Sequence, residues 1–194
     1  MWRALAKKMV AYFDKKTPFK SAEDIEKVTY ILTVFSKEFV SFLLLIVTFG
    51  IIGKINEFWI SFIVVMLTRT FSGGIHENSS VKCFMHTVAF FVLSIELSSI
   101  ELMFRINWAV YSLFLLMIII FAPVNNHSRG EFSASKRKRM RRFGIGGLFF
   151  SILFSLLFEK YSGVVTGTIF VELIEYTYVV FTIWKGGEHN VGKA

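Results

Sequence analysis

The chain has 194 residues, of which 54% are hydrophobic and only 19% charged, with 23 Phe, two Pro and a formal charge of +8. Apolar runs of this length and frequency exceed what one soluble core of this size buries, and they are continuous rather than alternating. These totals argue against a soluble enzyme, a disordered chain and a transmembrane β-barrel, and read as an all-α, polytopic transmembrane helical bundle forming one membrane-embedded domain over residues 1–194.

Residues 1–20 carry Arg3, Lys7, Lys8, Lys15, Lys16 and Lys20 and have no apolar stretch long enough for a cleavable signal. Trp2, Leu5, Met9, Tyr12 and Phe13 recur near one helical face, which predicts an interfacial amphipathic helix. Six apolar stretches follow: Phe39–Ile52, Phe58–Thr68, Phe84–Phe104, Trp108–Val124, Phe143–Phe158 and Val164–Trp184. About six membrane segments are therefore expected, with the first reaching back towards Tyr30. The second is short enough to be re-entrant.

Charge placement sets the orientation. If all six stretches cross and the N-terminus is cytoplasmic, only Lys54, Arg105 and Lys160 of the 22 Lys and Arg fall outside. That asymmetry predicts a multi-pass protein with both termini in the cytoplasm. The run Lys136–Arg142 then lies in a basic cytoplasmic loop, 125–142. It reads as a topology determinant at anionic headgroups or as a docking surface for an acidic partner. A nucleic-acid partner is not expected in so short a loop.

The most informative segment is 69–83, at the cytoplasmic face. It holds Arg69, Gly73, Gly74, His76, Lys82 and the sole cysteine, Cys83. Ser79 or Ser80 is a good N-cap, which would put Cys83 in the first turn of a helix, where unpaired N–H groups favour thiolate. His76 is seven positions earlier, about 10.5 Å along one continuous helix. It reaches Cys83 only if the chain breaks at Gly73-Gly74 or Asn78-Ser79 and folds back. A Cys–His pair so formed would support nucleophilic attack on a carbonyl. The bland alternative is an inert boundary cysteine and a solvated histidine. A zinc site using Cys83, His76, His86 and Glu77 lacks a recognised ligand spacing. No cofactor or metal is expected.

This segment closely resembles the signature of the AgrB family of accessory gene regulators: an Arg, a Gly-Gly, a His just beyond and a Cys seven positions after it. Here these are Arg69, Gly73, Gly74, His76 and Cys83. Phe121-Ala122-Pro123-Val124-Asn125-Asn126 and the following basic run resemble the family's Ala-Pro element and basic loop. Where the family frequently has an Asp soon after that Pro, this chain has Asn125 and Asn126. The resemblance implies a cell-membrane cysteine endopeptidase of Gram-positive quorum sensing, with Cys83 as nucleophile and His76 as general base, then acid. It implies an AgrD-type propeptide as substrate, a thiolactone or lactone peptide as product, and a homodimer. Arg69 would bind an acidic substrate segment, or pair with Glu77 or a headgroup. Gly73 and Gly74 would supply tight backbone geometry, Lys82 would lower the thiol's pKa or snorkel, and Asn125 is one candidate to orient His76.

Glu96, Glu101, Glu172 and Glu175 fall within apolar stretches. Such carboxylates suggest function by default. The preferred reading makes Glu172 and Glu175 neutral, hydrogen-bonded or ion-paired. The alternative is a small transporter or exporter whose path they line.

Overall fold

The computed structural model describes residues 2–16, 21–72, 80–123 and 133–191. Among these residues the chain forms seven α-helices and one 3-10 turn, with no strand. They divide into two compact units, Met1–Gly53 and Lys54–Ala194.

The first unit is a helix pair. In α1 (Trp2–Lys16), Ala6 and Val10 lie one turn apart and are buried, while Met9, Tyr12 and Phe13 stay exposed. In α2 (Ala22–Ile51), Ser21 accepts a hydrogen bond from the Asp24 N–H at 3.2 Å, and Glu23 and Asp24 occupy the positive N-terminal turn. These caps start the helix well before the apolar stretch at Phe39. Gly53, at φ +73°, takes the left-handed conformation that ends it.

The second unit comprises α3 (Ile55–Ser72), α4 (Ser80–Leu97), α5 (Glu101–Phe121), α6 (Ala134–Leu157), the turn Glu159–Tyr161 and α7 (Ser162–Val191). Three boundaries differ from expectation. The short second stretch is the middle of an uninterrupted 18-residue helix. The third stretch does not continue to Phe104: α4 ends at Leu97, where the Ser98 and Ser99 hydroxyls donate back to the carbonyls of Ile95 and Glu96. The run Lys136–Arg142 is helical, not loop, because the Ser133 hydroxyl caps α6 by accepting from the Lys136 N–H at 3.4 Å. By length and composition, Glu23–Ile51, Ala134–Leu157 and Glu159–Thr182 can each cross a membrane.

Cross-helix contacts give the directions. Ser61 meets Thr168, and Thr68 meets Glu172, so α3 and α7 run parallel. His86 meets Glu175 while Gly167 lies on Ser94, so α4 runs the other way. Tyr111 joins Ser155 on α6 to Thr166 on α7, and Arg141 reaches Ala122, making α6 antiparallel to α5. The five helices alternate, with Val64, Phe114, Ile118, Leu148, Val165 and Ile169 in the core between them. Arg69, Lys82 and Lys136–Arg142 consequently gather at one end, and Lys54 and Lys160 at the other.

Two glycines set the closest approaches. A Cβ on Gly147 would lie 2.2 Å from the Leu67 carbonyl oxygen, and one on Gly167 would lie 2.5 Å from that of Ser94. Any larger residue would push α6 off α3, or α7 off α4.

Candidate functional site

The basic end of the second unit brings α3, α4 and α7 together. Arg69 is in the last turn of α3, where a cation complements the negative end of the helix. Cys83 is the fourth residue of α4 and half-buried, at the helix start its flanking serines predict. The Thr87 hydroxyl donates to the Cys83 carbonyl at 2.9 Å. Lys82 beside it is exposed. Gly73, Gly74, His76, Glu77, Asn78 and Asn125 lie outside the described residues.

A polar cluster lies one turn deeper. Glu175, on α7, has a side chain 8% exposed, and Arg69 Nη2 donates to its Oε1 at 2.5 Å. The same oxygen is 3.6 Å from His86 Nε2. The Arg69 guanidinium also stands 5.6 Å from the centroid of the Phe90 ring on α4, within cation–π range. One turn before Glu175, Thr68 Oγ1 donates to the Glu172 carboxyl, 2.6 Å from Oε2, and lies 2.8 Å from the Val64 carbonyl. Both glutamates therefore have partners inside the chain, as the structural reading of them required.

Of the residues singled out in the sequence, Arg69 and Cys83 fall on adjoining helix ends, α3 and α4, and the partner of Arg69 seen here is Glu175. Sequence reasoning missed His86 as a neighbour of that carboxylate. His86 follows Cys83 by three residues, so the two share a helix face; that spacing was the available signal.

Comparison with known proteins bears on the same residues. The AgrB family, accessory gene regulator B, matches residues 6–183. The chain belongs to the AgrB family. A Clostridium beijerinckii protein described as AgrB-like is 24% identical, covering 90% of this chain and 88% of its own length. A second AgrB-like protein, from Clostridium perfringens (strain 13 / Type A), is 26% identical over 94% of this chain and 97% of its own. No solved structure matches. As an AgrB-family membrane protein, the chain takes part in the processing of agr quorum-sensing peptides.

Proposed function

We propose that the chain is a membrane cysteine endopeptidase that cleaves an AgrD-type propeptide on the C-terminal side of the future signal. Cys83 attacks the scissile carbonyl, His76 takes the thiol proton, and the resulting imidazolium protonates the departing amine. The acyl-thioester on Cys83 is then attacked by an internal Cys or Ser of the substrate, which yields a thiolactone or lactone ring. Thioester exchange is nearly isoenergetic whereas hydrolysis is downhill, so the chemistry favours an apolar site that excludes water.

The observation that carries this reading is the position of Cys83 in the first turn of α4, in the segment that resembles the family's signature. Unpaired N–H groups at such a helix start stabilise a thiolate, and they stabilise the oxyanion of a tetrahedral intermediate. Lys82 adds positive charge next to the thiol. The reading places the cation-rich end of the second unit at the cytoplasmic face, near anionic headgroups. The carboxylates on which a transport reading would rest hold Thr68 and Arg69.

Cys83→Ala decides the matter. The variant should insert normally and leave a co-expressed propeptide with an internal Cys and an acidic tail uncut. Cleavage at the wild-type rate would refute the proposal.

A further inference from the structure

Glu175 occupies a place that packing alone does not explain. Its carboxylate is nearly sealed from solvent, and a buried carboxylate persists only with partners. Those partners come from two different helices: Arg69 ends α3, and His86 lies in the second turn of α4. Residues 73–79, which include His76, run between these two helix ends. His86 and Cys83 differ by three positions, about 4.5 Å of rise on one helix face. A carboxylate 3.6 Å from His86 Nε2 attracts that side chain when the imidazole carries a proton, and so bears on the rotation of the α4 turn that carries Cys83.

We propose that Glu175 is a positioning residue for the Cys83 chemistry, accepting from Arg69 of α3 and standing within ion-pair distance of His86 of α4 through one carboxylate oxygen, so that the α3 end and the Cys83 turn keep their spacing. This inference rests on the endopeptidase reading. Glu172 provides an internal control. It is one turn away on α7 and also buried, and among the described residues its hydrogen-bond partner is a hydroxyl on α3. Loss of an orienting contact of this kind displaces the reacting groups by about 1 Å, which lowers turnover by about 100-fold while substrate still binds.

The test uses the full-length protein in lipid vesicles. A synthetic propeptide with a Cys-containing centre and an acidic tail is the probe, and folded protein is quantified by size-exclusion elution and Tm. Glu175→Gln should lower kcat by about 10- to 100-fold with KM within about twofold and elution unchanged. Glu175→Asp should recover part of kcat, and Glu172→Gln should keep it. Wild-type kcat in Glu175→Gln, an effect confined to KM, or an equal loss in Glu172→Gln would overturn the inference. If Glu175→Gln does not fold, the double variant Arg69→Gln/Glu175→Gln, which leaves no unpaired ion, takes its place. A loss accounted for by unfolded protein in both would also overturn it. Cys83→Ala separates the two levels. A cleaving Cys83→Ala removes the endopeptidase reading and this role with it, whereas an inactive Cys83→Ala beside a full-rate Glu175→Gln removes the positioning role alone.

Discussion

Two stretches of α7, one before and one after Phe170, bury polar and small residues for opposite reasons. In the earlier stretch, Gly163 and Gly167 admit the backbone of Ser98, just past α4, and of Ser94, and Thr166 and Thr168 donate to the carbonyls four residues back while touching Tyr111 and Ser61. These hydroxyls are satisfied within their own helix, so the cross-helix contacts add little that the helix lacks. In the later stretch, a carboxylate cannot donate to its own helix, and Glu175 accepts from Arg69 of α3 with His86 of α4 at 3.6 Å. One stretch is held by proximity of backbones, the other by charge. The charged stretch is the one whose partner helices carry Arg69 and Cys83. Stability and site geometry are thus coupled at one end of the bundle and separable at the other.

Four substitutions test that contrast. The largest effect is expected for Glu175→Ala, which removes the carboxylate that accepts from Arg69. Breaking a buried pair costs about 3–5 kcal/mol, and the partial exposure of Arg69 puts this case at the lower end. Unfolding in detergent should show it, with cleavage falling further than the folded fraction. Next comes Gly167→Val, whose Cβ meets the Ser94 carbonyl at 2.5 Å. It should destabilise by about 1–3 kcal/mol, with activity per folded molecule retained. Activity lost out of proportion would erase the distinction between the two stretches. Thr168→Val removes only the contact to Ser61 and a bond within its own helix, and should cost about 0.6 kcal/mol. The smallest effect belongs to Glu172→Gln. Its partner is a neutral hydroxyl, the amide keeps the shape and accepts the same bond, and Tm should shift little. A loss as large as that of Glu175→Ala would show that both carboxylates work as charges.

The sequence made the helices legible and several of their ends illegible. Apolar runs reported the existence of α2 to α7, because lipid-length burial demands them. The break after Leu97 was hidden because Ser98 and Ser99 satisfy themselves on their own backbone, and so a turn passes inside an apolar stretch. The start of α6 was hidden for the converse reason: a run of cations looks like loop, while Ser133 supplies the cap that makes it helix. Cys83 at a helix start was readable from its flanking serines. The Arg69–Glu175 pair was not, since 106 residues separate its members and only the packing of α7 on α3 joins them.

Arg141 belongs by sequence to the basic run at the start of α6, yet its Nε donates to the Ala122 carbonyl at 3.1 Å. The Ala-Pro element is therefore latched to α6 by a guanidinium from that run. A neutralisation scan along 136–142 should accordingly fall into two classes. Substituting the exposed cations would weaken attraction to an anionic surface in a way that added salt imitates. Arg141→Gln would instead release the end of α5, a defect that salt does not reproduce. Basic residues adjacent in sequence are in this protein different kinds of part, one a latch and the others a surface.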